Sequence, residues 1–178
     1  WYAATLFRRE PLLTVEGVNE NGRRFFSEFT EDCDLKGTSL TDLYRRRFVE
    51  VLTLGKSFLL LDFPRTEKPA SNRAEEEALG ASRAYLVECP VEDVINWSTD
   101  ERGNYSWVVI RSTIERQDRV ESANSTKETR WSYYDRETYR IYRRREGGED
   151  PSDIQLIAEG RHALAKQYRV PLFELSVS

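Results

Sequence analysis

Asp32, Asp34 and Gly37, in the stretch EDCDLKGTSLTDL, stand at the spacing that opens a calcium loop of the form D-x-D-x-D-G. Such a loop works by turning successive oxygen ligands toward a hard cation and closing on a bidentate Glu at its twelfth position. Here Lys36 occupies the third ligand position and Leu43 the twelfth. An ammonium among the ligands repels the ion, so the stretch reads as a turn before a helix. His162 is the only histidine, which excludes a two-histidine zinc site and an HExxH centre within this chain. Beside Arg161 and an apolar strand it reads as structural, and a Cys-His nucleophile would need Cys33 or Cys89 brought to it by the fold. Asp32, Asp34, Glu92 and Asp93 are the carboxylates that a hydrolase acting on polysaccharide or nucleic acid would use. The phosphate-binding motif G-x-x-x-x-G-K-[ST], the dinucleotide motif G-x-G-x-x-G and the nucleophile elbow G-x-S-x-G do not occur. No catalytic, cofactor-binding or metal residue is assigned on these grounds, and no cofactor is expected.

The richest aromatic stretch is CPVEDVINWSTDERGNYSWVV, from Cys89 to Val109. Asp100 to Gly103 carry turn chemistry between two strand-like runs, with Gly103 suited to positive φ. Trp97, Tyr105 and Trp107 could stack on a base or a sugar. The apolar neighbours Val94, Ile95, Val108, Val109 and Ile110 favour cross-strand packing instead, so Trp97 and Trp107 are predicted to be packing residues of one hairpin.

The elements that must position these residues follow from periodicity. Leu40, Leu43, Tyr44, Phe48, Val51 and Leu52 recur at helical spacing, Ser39 and Asp42 form a capping box, and Gly55 permits a left-handed end; these predict a helix over Leu40 to Leu54. Its apolar face is expected to be buried through Leu43, Phe48, Val51 and Leu52, leaving Arg45, Arg46 and Glu50 to solvent or a neighbour. KSFLLLDFP then reads as a buried strand closed by Pro64. NRAEEEALGAS reads as a second, exposed helix opened by Asn72, with Glu75 three residues on, and stopped by Gly80. From Arg83 the period changes to two, in the runs RAYLVEC, VINW, YSWVVIRSTIER, TRWSYYD, TYRIYRRR and DIQLIAEG. ESANSTKE, between Val120 and Thr129, reads as a long hairpin tip. Helices first and strands later predict an α+β fold: N-terminal helices, then an antiparallel, hairpin-rich sheet.

With 178 residues, one domain is the default, mainly helical with one buried strand over 1–82 and mainly β over 83–178. The longest apolar run, Phe58 to Leu61, falls far short of the ~20 residues that cross a bilayer as a helix. Lys and Arg number 27 against 31 Asp and Glu, so the chain has no global basic field for nucleic acid. The clusters Arg45–Arg46–Arg47 and Arg140, Arg143, Arg144 and Arg145 read as solvated faces balanced by nearby Glu and Asp. Two cysteines are too few for a disulfide framework, and each is expected to be a buried free thiol. The chain contains no Met, opens on WYAATLFRREP, which reads as the last turns of an amphipathic helix, and ends on VPLFELSVS, a strand pattern with no partner after it. It reads as a segment of a longer protein.

The chain resembles the portal proteins of tailed double-stranded DNA bacteriophages. The matching stretches are ATLFRREPLL (Ala4 to Leu13), DLKGTSLTDLYRRRFVEVLTLGKSFLLLDFP (Asp34 to Pro64) and RAYLVECPVEDVINWSTDERGNYSWVVIRS (Arg83 to Ser112), with YRIYRR and VPLFEL in fitting order downstream. Each is a soft pattern, and their order carries the resemblance. It implies a structural, non-catalytic subunit of a ring, commonly of twelve copies, at one capsid vertex of the virion. Such a ring is assembled in the bacterial host cytoplasm, in phage or prophage. Its implied partners are the packaging motor, the capsid and neck proteins, and double-stranded DNA passing without sequence-specific binding; a membrane is not among them. The segment would be the wing-like outer part that precedes the stem helices. The alternatives are another phage head or neck component or a general oligomerisation module, and behind these a carboxylate hydrolase.

Overall fold

The computed structural model describes residues 2–9, 12–64, 83–117, 125–145 and 153–176. Its fold is α+β, with an antiparallel sheet following N-terminal helices. Two compact units make up the structure: one runs from Trp1 to Glu88 and takes back Phe173–Ser178, and the other spans Cys89–Leu172. Among the described residues no helix is long and apolar enough to cross a membrane.

The first unit holds helices α1 (Tyr2–Leu6), α2 (Glu20–Glu31) and α3 (Leu40–Leu54). The limits of α3 are those predicted. Ser39 accepts a hydrogen bond from the Asp42 N–H, and Gly55 ends the helix at φ 82°. Leu40, Leu43 and Val51 are buried on it, but Leu52, expected in the core, is 46 % exposed. Helix α2 was not anticipated. Its local signals are Asn19, whose side chain accepts from the Gly22 N–H, and Phe25 and Phe29, one turn apart and stacked at 5.8 Å. The predicted helix opened by Asn72 lies outside the described residues.

Strand β1 (Lys56–Asp62) is buried continuously from Ser57 to Leu60, because it is the middle strand of a three-stranded sheet and is covered on both faces. Its neighbours are β2 (Tyr85–Cys89) and the last strand of the chain, Leu172–Ser176. That last strand, which has no strand pattern after it in the chain, pairs with β1, more than 100 residues earlier in the sequence. Cys33, Leu40, Leu43, Leu59 and Leu86 form the core here, with Phe29, Leu61 and Leu175 packed against it.

The second unit is a meander: β3 (Val94–Thr99), β4 (Tyr105–Gln117), β5 (Ser125–Asp135), β6 (Thr138–Arg145) and β7 (Gln155–Arg161), each antiparallel to the next. With these numbers in use, the strand Leu172–Ser176 is β8. The β4–β5 ladder runs out to Gln117↔Ser125, so Ser125 to Glu128, expected in a hairpin tip, belong to a strand, while 118–124 lie outside the described residues. A polar composition suggests a loop, but one face of such a strand is solvated and needs no apolar residues.

Alternation sorts the meander into two faces. One carries Val108, Ile110, Tyr134 and Ile141, all buried, with Glu128, 8 % exposed, farther along it. Gly160 lies opposite Tyr139 on this face, and a Cβ there would meet the Tyr139 ring at 3.2 Å. The ring thus fills the space that any side chain at position 160 would need. The other face is described next.

Candidate functional site

Asp32 and Asp34 are committed to their own loop. Asp34 Oδ1 accepts from the Lys36 and Thr38 N–H groups at 2.9 and 3.1 Å, and Asp32 Oδ1 accepts from the Gly37 N–H at 2.9 Å. The Arg83 guanidinium donates to Asp32 Oδ2 at 2.8 Å and to the carbonyls of Glu28 and Asp32 at 2.8 and 2.7 Å, closing the C-terminal end of α2. Among the described residues no group of three or more His, Cys, Asp or Glu is placed to hold a metal ion. Glu92 lies exposed and Asp93 half-buried in the short 3-10 turn Val91–Asp93, with Asp93 4.0 Å from Arg111.

Cys33 and Cys89 are both free and buried, as expected. Burial, followed by the neighbouring Asp34 charge, pushes the Cys33 thiol up to about 11, so it is not a ready nucleophile. His162 Nε2 donates to the Asp135 carbonyl at 2.8 Å, and its ring meets Tyr134 edge-on at 6.3 Å. It serves the β5–β6 turn, as does the Asp135 side chain, which accepts from the Glu137 and Thr138 N–H groups at 2.8 and 2.6 Å and from the Thr138 hydroxyl at 2.8 Å. Desolvation acts to raise the Asp135 carboxyl, but these donors and the His162 ring outweigh it and hold it below the usual range. A carboxyl depressed in the folded state contributes stability that is complete above its unfolded value of about 3.9 and is lost as pH falls through the folded one. Asp135→Asn is therefore expected to lower the melting temperature at neutral pH and to flatten its fall in acid. Parallel acid profiles for the two proteins would refute that role.

The β3–β4 turn is fixed by Asp100, which accepts from the Arg102 and Asn104 N–H groups at 2.9 and 3.0 Å and from Arg136 at 2.6 Å, with Gly103 at φ 80°. The tryptophans of this hairpin are not packed together. Trp97 pairs with Val108 and Ser98 with Trp107, so the two rings leave opposite faces of the sheet. Trp97 is 46 % exposed. Trp107 does make a cross-strand contact, but with β5: its ring stacks on Tyr133 at 6.3 Å. Two register shifts in the β3–β4 pairing, at Ile95 of β3 and Ser106 of β4, moved the alternation in a way that the residue types do not signal.

On Trp107's face the register aligns Val109, Tyr133, Arg140 and Glu159 in one row, and Arg111, Trp131, Tyr142 and Leu156 in the next. The Arg140 guanidinium lies 5.9 Å over the Tyr133 ring, and that of Arg144 lies 5.5 Å over Trp131. None of Trp107, Trp131, Tyr133 or Tyr142 is buried. The arginine cluster read as one solvated face is thus divided: Arg140 and Arg144 cap aromatic rings here, while Arg143 points to the other face, 3.8 Å from Glu128, which also holds Arg130 at 2.5 Å. Strand alternation is the reason.

The arginines of α3 are each paired with an acidic side chain, as a charged face balanced by nearby Glu and Asp should be, with Arg45 and Arg46 still 41 and 50 % exposed. Arg45 donates to Asp42 at 2.8 Å and covers the Phe7 ring at 5.6 Å. Arg46 meets Glu88 at 2.9 Å. Arg47, only 15 % exposed, bridges Glu50 and Glu88, and Glu50 also accepts from the Ser57 hydroxyl at 2.5 Å. Besides Asp42, Arg46 and Thr53, α3 leaves apolar residues open: Val49 and Leu52 are 48 and 46 % exposed. Beside them a cavity of about 520 Å³ is lined by Phe7, Leu13, Tyr44, Phe48, Val51 and Leu175.

No protein-family profile and no curated protein matches this sequence.

Proposed function

We propose that the chain is the wing-like part of a portal subunit, one copy of a ring at the capsid vertex of a tailed double-stranded DNA bacteriophage or prophage. The observation that carries the reading is the order of the matching stretches, the two longest of which each lie on a continuous run of elements. Asp34 to Pro64 is a turn, α3, the Gly55 cap and β1; Arg83 to Ser112 is β2, a 3-10 turn, β3 and most of β4. In this reading the protein is structural and performs no catalysis. It guides double-stranded DNA without reading its sequence, and the full-length chain meets the packaging motor, capsid and neck proteins.

A cyclic ring needs heterologous contacts, in which one surface of a subunit meets a different surface of the next. Arg45 and Arg46 are tied within their own unit, so the contact is assigned to the apolar residues that α3 exposes, Val49 and Leu52, with a second copy as the occupant. The full-length protein is expected to form closed rings visible by electron microscopy. Val49→Asp combined with Leu52→Asp should leave monomers that melt normally, since exposed positions contribute little to folding. Full-length protein that stays monomeric at high concentration would overturn the portal reading. Rings indifferent to the double substitution would overturn the assignment to α3.

A further inference from the structure

We infer that the open face of the five-stranded sheet, where Trp107, Trp131 and Tyr133 lie among Arg111, Arg140 and Arg144, binds single-stranded nucleic acid. The inference does not rest on the ring reading, because every residue it uses lies in one unit of one subunit.

The first support is the sorting of the two faces. The apolar core of the meander is on the opposite side, with Val108 at 0 % and Tyr134 at 3 % exposure, so the aromatics of the open face are not needed to fill it. Four large rings, each half-buried and none needed for the core, still leave part of their apolar area in water on this face. The second support is the arrangement. Residues two apart on a strand stand about 6.6–6.8 Å from each other on one face. Trp131 and Tyr133 therefore form a row of planar groups along β5, and the guanidinium carbons of Arg140 and Arg144 on β6 lie 5.9 and 5.5 Å from the Tyr133 and Trp131 ring centroids. Arg111, opposite Trp131 on β4, closes the other side.

A partner for this surface must offer planar faces and negative charge together. Single-stranded nucleic acid does so in every repeat: bases stack on aromatic rings and on arginine planes, and phosphates pair with the same cations. An acidic peptide supplies the charge without the planes, and a neutral sugar the reverse. In a duplex the base faces are already stacked on one another, so the rings could not be used. Acidic groups bound the patch. Glu159 stands in register with Arg140, Asp93 lies 4.0 Å from Arg111, and Asp135 at the end of the row is held by the turn's own donors. The positive field is consequently local, and affinity should lie in the non-specific range of about 10⁻⁶–10⁻⁴ M and fall with salt.

The test is a titration of labelled oligothymidylate with the protein at low salt, read by anisotropy and by tryptophan quenching. Binding is expected. Arg140→Ala combined with Arg144→Ala should weaken it at least tenfold and reduce the slope of log K against log salt by about 1.4, from ~0.7 per phosphate contact on single strands. Trp131→Leu should weaken it about 5- to 150-fold, the span of one lost base stack, while Trp131→Phe retains most of it. A duplex of the same length should compete at least tenfold less well. Each variant is checked for the wild-type circular dichroism spectrum, and the exposed arginine pair gives a reading even if a Trp131 variant folds poorly. No binding at low salt, equal competition by duplex, or an arginine pair variant that binds as wild type would overturn the inference. Equal displacement by polyglutamate or by a neutral oligosaccharide would also overturn it, and would reassign the face to an acidic protein or a glycan.

Discussion

Leu43→Ala is expected to destabilise the first unit by about 3–4 kcal/mol, whereas Leu52→Ala on the same helix should change it by less than about 0.5 kcal/mol. Leu43 is fully buried, in a cluster with Cys33, Leu40, Leu59 and Leu86, while Leu52 is 46 % exposed. Truncating Leu43 removes a side chain from a site walled by a helix and a sheet, which cannot collapse freely around the cavity. The units carry largely distinct reporters. The three α-helices among the described residues lie in the first unit, and three of the four tryptophans, Trp97, Trp107 and Trp131, lie in the second, with Trp1 in the first. The loss should therefore appear in the urea midpoint of the helical circular dichroism signal, with the signal from those tryptophans as the comparison. Equal effects from the two substitutions would mean that the buried face of α3 has been misassigned.

Arg47→Ala is expected to cost about 3 kcal/mol, at the low end for breaking a buried ion pair because its partners retain some solvent. Arg47 is 15 % exposed and its two terminal nitrogens reach separate carboxylates, Glu50 at 18 % and Glu88 at 26 % exposure. Without the guanidinium these two carboxylates lose their common cation, and Glu88 keeps only the half-exposed Arg46. Arg47→Lys should recover part of the loss but not all, since one ammonium cannot reproduce a planar fork. Arg46→Ala, at a site 50 % exposed, should cost less than about 1 kcal/mol. If Arg46→Ala proved the more damaging of the two, the bridge would not be what holds α3 to β2.

These two predictions turn on facts of different origin. The limits of α3, its Ser39 cap and its Gly55 end are local: a hydroxyl three residues from an N–H and a residue tolerant of positive φ act within a few residues, and the chain displays them directly. The same holds for β6, which runs over Thr138 to Arg145 as the period-two pattern predicts, for the Asp100–Gly103 turn, and for the helices-then-strands order that defines the α+β class. Long-range pairing decided the rest. Helical periodicity marks Leu43 and Leu52 as equally apolar, and only the seating of α3 on β1 makes one core and the other surface. A run of arginines cannot say that Arg143 meets Glu128 while Arg140 and Arg144 cap rings, because that depends on the β5–β6 register. Nor can a tryptophan choose between Trp97 and Tyr133 as its neighbour before the β3–β4 register is set. Spacing within an element fixes which side chains share a face; which face is covered, and by what, is settled by the apolar area that distant segments bury together.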